Sequence, residues 1–116
     1  MKYRDQRLAN QIQESVSEII NRELKESPGT FWSVTFVKLT KDLKFATIYY
    51  SVYGSNEEKS KTAEFFEAHK IQIRKLLGKK IRIRFLPEIS FEYDGSLEQG
   101  EKIEKLLKGL KDKGEI

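Results

Sequence analysis

The sequence predicts a single α+β domain in which helices cover one face of a three-stranded sheet. Its 116 residues fit one domain. Apolar residues recur at the three- and four-residue spacing of an amphipathic helix in three segments, and they recur at every second position, as in strands, in others. The order is helix, strand, strand, helix, strand, helix, and this mixture is typical of α+β folds.

The first helix is predicted over about residues 3–26. Its apolar face consists of Leu8, Ile12, Val16, Ile19, Ile20 and Leu24. The segment Ser27-Pro28-Gly29 ends the helix, because proline cannot continue the hydrogen-bond ladder and glycine tolerates the turn.

Two strands follow, predicted at residues 31–40 and 45–53 with a turn at residues 41–44. The first strand is rich in β-branched and aromatic residues. In the second, Ala46, Ile48, Tyr50 and Val52 share one face. A connection this short favours an antiparallel hairpin.

A second helix is predicted over about residues 57–77. Residues 54–56 break the preceding strand and offer an N-cap, and Glu57 and Glu58 stand in the first turn, where acids favour the helix dipole. Phe66, His69, Ile73, Leu76 and Leu77 form its apolar stripe, and Gly78 is expected to end it.

Residues 80–85 fit two structures. Ile81, Ile83 and Phe85 alternate with basic residues as in a strand, whereas Ile81 also continues the helical spacing of Leu77, so both alternatives stay open. Pro87 then forces a break, and residues 88–93 are predicted to form the third strand.

The C-terminal part is predicted to be a third helix that completes a domain spanning residues 1–110. Asp94-Gly95 is a turn, and Ser96-Leu97-Glu98-Gln99 matches a capping box. Leu97, Ile103, Leu106, Leu107 and Leu110 recur at helical spacing. Residues 111–116 are predicted to be a charged, frayed tail.

Composition excludes several classes of protein. The chain has no cysteine and one histidine, so neither a disulfide nor a tetrahedral zinc site is expected. His69 lies on an apolar helical stripe and is interpreted as partly buried, although a small hydrolase that uses it is an alternative. No signal peptide, membrane span or nucleotide-binding glycine motif is present. We therefore predict a cytoplasmic, non-catalytic protein without metal, cofactor or small-molecule substrate.

The positive charge is concentrated in one segment. The seven basic residues between positions 70 and 84 are Lys70, Arg74, Lys75, Lys79, Lys80, Arg82 and Arg84, with no acid among them. The helix dipole would need only one or two of them. Smaller basic groups occur at Lys2, Arg4 and Arg7 and at Lys38, Lys41 and Lys44. Clustered cations bind phosphates, so the pattern predicts a nucleic-acid-binding protein, with a protein-interaction domain as the alternative.

Aromatic residues offer a second route to RNA, because unpaired bases stack on exposed rings. Phe31, Trp32, Tyr49 and Tyr53 are candidates. Rings in strands usually pack against neighbouring strands or the core, and this is the interpretation we favour for all four.

Three segments together resemble the ribosome-binding factor A family. They are residues 7–13 (RLANQIQ), residues 34–51 (VTFVKLTKDLKFATIYYS) and residues 73–94 (IRKLLGKKIRIRFLPEISFEYD). The last is the most specific, because it joins an arginine-bearing helix end to alternating arginines and then to Pro-Glu-Ile-Ser-Phe and a closing Asp94. The resemblance covers nearly the whole chain.

The resemblance implies a KH-like domain of the second type, ordered α-β-β-α(kink)α-β, to which this sequence adds a C-terminal helix. Many RNA-binding KH domains carry Gly-x-x-Gly between the two helices, and this family is similar but has Ala-x-Gly at the kink. Here the matching positions are His69, Lys70 and Ile71. Two alternatives follow, either a straighter helix or a kink moved to Ala68.

The resemblance also implies a function. The chain would bind the immature small (30S) ribosomal subunit and its 16S rRNA, assist rRNA processing and late maturation without catalysis, be needed most in the cold, and act as a monomer. The candidate RNA-binding residues are Arg4, Arg7, Lys38, Lys41, Lys44, Lys70, Arg74, Lys75, Lys79, Lys80, Arg82 and Arg84. The alternative is a generic single-stranded RNA-binding module unconnected with the ribosome.

Overall fold

The computed structural model describes residues 3–95, with side chains from Asp5 onward. The predicted capping box at Ser96, the C-terminal helix and the tail lie outside the described residues. The elements are α1 (Tyr3–Glu18), a π-helical segment (Ile19–Glu23), β1 (Phe31–Leu39), β2 (Phe45–Tyr53), α2 (Asn56–Lys80) and β3 (Glu88–Tyr93). Within residues 3–95, no helix combines the length and apolar character that a membrane crossing requires.

The three strands form one sheet in the order β1-β2-β3. β1 and β2 are antiparallel, as predicted, with a register shift between Val34 and Phe36. β2 and β3 are parallel, which requires a crossover, and α2 provides it. Alternate residues of β2 (Ala46, Ile48, Tyr50 and Val52) are buried in the core with residues of α1 and α2. The predicted sheet with helices on one face is thus confirmed.

The first helix is shorter than predicted and ends in an unusual turn. Instead of reaching residue 26, α1 passes into the π-helical segment, where the amide of Leu24 donates to the carbonyl of Ile19 at 3.2 Å. The wider turn directs two consecutive residues, Ile19 and Ile20, into the core. Leu24 is already extended, so the helix ends at Glu23.

The second helix begins at a full capping box. The hydroxyl of Ser55 accepts from the amide of Glu58 at 3.2 Å, and the Glu58 carboxylate accepts from the amide of Ser55 at 3.1 Å. The helix continues three residues beyond the predicted end, to Lys80. Gly78 lies inside it, and an added Cβ there would stand 3.4 Å from the side chain of Leu86, an ordinary contact, so the position does not require glycine.

The connection between α2 and β3 is neither of the predicted alternatives. Residues 81–87 are irregular, with Ile81 and Pro87 buried at the ends and residues 82–85 exposed between them. The helical hydrogen bonding of α2 is uninterrupted through Ala68–Ile71, so the family's break is absent there. A bend in the axis at Ala68 stays a prediction.

Candidate nucleic-acid interface

Arg74 is held by the connection rather than presented to solvent. Its Nε donates to the carbonyl of Pro87 at 3.1 Å, and its Nη2 donates to the carbonyl of Leu86 at 2.9 Å. The same Nη2 lies 3.4 Å from the carboxylate of Glu88. Arg74 therefore fixes residues 86–88 against α2. Its positive charge is partly offset by the carboxylate of Glu88.

Lys80 is also paired. Its Nζ lies 3.1 Å from Glu23 and 3.4 Å from Glu18, so it joins the end of α2 to the two ends of the π-helical segment. The hydrogen bond to Glu23 is the largest cause that raises the pKa of Lys80. Lys70 is paired within α2, 3.1 Å from Glu67. Three of the seven cations predicted from the basic segment thus have acidic partners.

The other four cations of the segment form what we call the basic run. Lys75 and Lys79 are exposed on the side of α2 opposite its buried residues, and Arg82 and Arg84 are exposed in the irregular connection. In the part of the chain that the structure describes, none of the four forms an ion pair. Their charges are therefore available to an anionic partner.

The fold brings the hairpin to one end of the basic run. The amide of Glu88 donates to the carbonyl of Lys44 at 2.8 Å, and Lys44 and Arg84 line the same cavity. Lys38 and Lys41 are exposed, and within residues 3–95 neither has an ion pair. Arg7 is exposed on α1 and does not line that cavity, while the side chain of Arg4 lies outside those described.

The residues at the predicted kink have separate environments. His69 Nδ1 lies 2.8 Å from the carbonyl of Phe65, and its ring stacks on the Phe65 ring with centroids 4.1 Å apart. Its Nε2 is 3.8 Å from Glu26. Ala68 is exposed, and Ile71 is 84% exposed. His69 therefore packs as a partly buried residue.

Only some of the aromatic rings considered from the sequence as stacking candidates are exposed in the structure. Trp32 packs on Phe66 at 5.7 Å, and Tyr49 stacks on Phe36 at 4.2 Å. Phe31 and Tyr53 contact each other at 5.4 Å but stay exposed.

Sequence reasoning missed three exposed rings, Phe36, Phe45 and Phe85. Phe85 alternates with Ile81 and Ile83 in the sequence, and this spacing offers a strand as one of two alternatives. Pro87 is the signal that could have indicated an irregular connection, because proline keeps the preceding residue, Leu86, out of the helical region.

Removal of the Arg74 guanidinium is expected to destabilise the connection. Arg74→Ala leaves the carbonyls of Leu86 and Pro87 without their donor, which should lower the free energy of unfolding by about 1–3 kcal/mol. The half-exposed ion pair with Glu88 adds little. Urea denaturation measures the loss, and amide exchange should accelerate in residues 81–88. Arg74→Lys lacks the planar guanidinium that aims two donors at the two carbonyls, so it should keep only part of the stability, and full retention would contradict this role.

The hairpin turn should weaken in acid. The pKa of Asp42 is lowered, first by the hydrogen bond from the Thr40 hydroxyl at 2.7 Å and then by the Lys44 amide at 3.0 Å. A lowered folded-state pKa stabilises the protein above the ordinary value of 3.8, and the contribution is lost as pH falls through the folded value. Asp42→Asn should flatten the dependence of stability on pH between pH 5 and pH 2, relative to wild type. Identical slopes in both proteins would refute this assignment.

The fold and the site together define a class of protein, a KH-like domain of the second type with a cationic surface. Among residues 3–95, no group of three or more His, Cys, Asp or Glu side chains is placed to hold a metal ion. The features of this surface are exposed cations and rings.

Comparison with known proteins identifies the family. The family model for ribosome-binding factor A matches residues 4–107, so the chain belongs to the ribosome-binding factor A family. A relative of that name from Dictyoglomus thermophilum is 50% identical over 111 residues, which are 95% of this chain and 92% of the relative.

One solved structure and one fitted homology model share the fold. The solution structure of a Thermotoga maritima protein assigned to this family has a TM-score of 0.65 and 29% identity, and covers 78% of this chain and 86% of that one. The second is a homology model of the Thermus thermophilus protein, fitted into the cryo-EM map of a 30S complex with ribosome-binding factor A. It has a TM-score of 0.64 and 22% identity, and the match covers 78% of this chain and 96% of that one.

Proposed function

We propose that the chain binds the small (30S) ribosomal subunit through its 16S rRNA and assists rRNA processing and late maturation without bond chemistry. Membership of the ribosome-binding factor A family carries this proposal. The Thermus protein was fitted into a map of a 30S complex, which supports the same partner here. The place of action would be the cytoplasm.

The basic run supports RNA as the contacted component. Lys75 and Lys79 lie one helical turn apart on the exposed side of α2, and Arg82 and Arg84 continue the positive charge into the connection. Each cation that neutralises a phosphate releases counterions, and this favours binding at low salt. Arg74 and Lys80 contribute indirectly, because their contacts fix the connection and the helix end that carry the four exposed cations.

Binding alone is sufficient for the proposed activity. A protein that prefers one conformation of an RNA shifts the population toward that conformation by its difference in affinity. Release follows when the mature conformation binds less tightly. The surface of exposed cations, with phosphate as the main ligand, suits a reversible, salt-dependent interaction.

Co-sedimentation with ribosomal particles tests the proposal. The purified chain should pellet with free small subunits at low salt and much less with joined ribosomes, and binding should fall as salt is raised. Failure to pellet with small subunits at low salt would refute it. Equally tight binding to short unstructured RNA and to small subunits would favour the generic RNA-binding alternative.

A further inference from the structure

An open cavity lies between the hairpin turn and the α2–β3 connection. It has a volume of about 560 Å³ and is lined by residues 42–45 of the hairpin, by residues 83–86 of the connection, and by Glu88. Its walls include Ile83 and two exposed rings, Phe45 at 55% and Phe85 at 74% exposure. Large apolar side chains exposed together around a concave surface commonly mark a binding site.

The charged groups at this cavity sum to +1, because Lys44, Arg84 and the adjacent Arg74 are positive, whereas Asp42 and Glu88 are negative. The carboxylate of Asp42 accepts from the Thr40 hydroxyl and the Lys44 amide, and the carboxylate of Glu88 faces Arg74. In contrast, Lys44 and Arg84 form no ion pair within residues 3–95. The Arg84 guanidinium lies 5.3 Å from the centroid of the Phe85 ring, so a cation and an exposed aromatic face stand side by side.

The walls are held in place before any ligand arrives. The amide of Glu88 donates to the carbonyl of Lys44, and Arg74 holds the carbonyls of Leu86 and Pro87. On the hairpin side, the Thr40 hydroxyl and the Asp42 carboxylate close the turn. A preformed site loses less conformational freedom on binding, which favours affinity.

We propose that this cavity receives one unpaired nucleotide of the bound RNA, with its base against Phe45 and Phe85 and its phosphate near Lys44 and Arg84. This inference rests on the proposed binding to rRNA and names the RNA feature that the site takes. Exposed rings beside cations suit single-stranded nucleic acid, because every base has a face for stacking and every nucleotide has a phosphate. A double-stranded region would leave the rings without a partner, since its bases are already stacked.

Affinity measurements with small subunits test the proposal. Phe85→Ala should weaken binding by about five- to 150-fold, the range for loss of one stacked base, whereas Phe85→Tyr should restore most of the affinity. Phe31→Ala is the matched control, because Phe31 is 71% exposed and pairs with Tyr53, at the end of the sheet opposite Phe45. It should bind within about twofold of wild type, and circular dichroism should show all variants folded.

Ultraviolet crosslinking of the chain bound to small subunits provides the second measurement. We expect the peptides that contain Phe45 or Phe85 to attach to a nucleotide that is not base-paired. Equal affinities for Phe85→Ala and Phe31→Ala, with wild-type binding intact, would overturn the nucleotide site and leave the proposed function standing. Crosslinks from these peptides to base-paired nucleotides only would also overturn it, and absence of wild-type binding would overturn both proposals.

Discussion

Replacing Lys75 and Lys79 together with glutamine is expected to weaken binding to small subunits by about 25- to 60-fold at 0.1 M salt. Both lysines are exposed on the outer side of α2, and neither has an acidic partner within residues 3–95. Each phosphate contact contributes about 0.7 to 0.9 to the slope of log affinity against log salt, so loss of two contacts should reduce that slope by about 1.4 to 1.8. Titrations at four or more salt concentrations measure both quantities.

The same helix supplies the control for this prediction. Lys59 and Lys61 lie near its other end, about 25 Å away along the axis at 1.5 Å per residue. Lys59→Gln with Lys61→Gln removes the same charge, and Lys61 is already paired with Glu57 at 3.3 Å. If both double variants lower the slope equally, net charge rather than the basic run determines binding, and the assignment of Lys75 and Lys79 is wrong.

The individual roles of the cations could not be obtained from the sequence. Arg74 is paired with carbonyls and a carboxylate 12 to 14 positions later, and Lys80 with acids of the first helical region. These partners are distant in the chain, and local charge patterning does not reveal them. Sequence reasoning located the segment, whereas its division into paired and available cations depends on tertiary structure.

The strands were predictable because their signal is local. The limits of β2 and β3 match the prediction, since alternation and flanking turn residues define a short strand. The start of α2 carried a signal that was missed, since Ser55 is followed three residues later by Glu58, the spacing of a capping box. The π-helical segment had no such signal, because burial of both Ile19 and Ile20 depends on packing against the sheet and α2.

The parallel pairing of β3 with β2 shows how the fold constructs the site. Because the register places Glu88 beside Phe45, the residues just before β3 meet the start of β2 and the hairpin turn. Residues about 40 positions apart, such as Lys44 and Arg84, therefore line one cavity. The sequence did not show that these two residues lie close together, because the strand order and direction are needed to place them.

Phe66→Ala is expected to lower the free energy of unfolding by about 3–5 kcal/mol, the largest stability effect that we predict. Phe66 is fully buried in α2 and contacts rings from all three strands: Trp32 of β1 at 5.7 Å, Tyr50 of β2 at 4.6 Å and Phe91 of β3 at 4.8 Å. Truncation leaves a cavity in the layer that attaches α2 to the sheet. The total free energy of unfolding of a small domain is about 5–15 kcal/mol, so this loss is a large fraction of the stability.

Urea denaturation and thermal unfolding measure this effect, and Tm should fall by roughly 15–30 °C. Phe31→Ala is the control, because the exposed ring loses only an edge contact with Tyr53 and should cost less than about 1.5 kcal/mol. Similar losses for the two variants would show that Phe66 does not anchor α2. At a temperature where Phe66→Ala stays folded, its affinity for small subunits should remain close to wild type. Phe66 lies nine residues before Lys75 and contacts the sheet, so its contribution to binding is to hold the helix that presents the basic run.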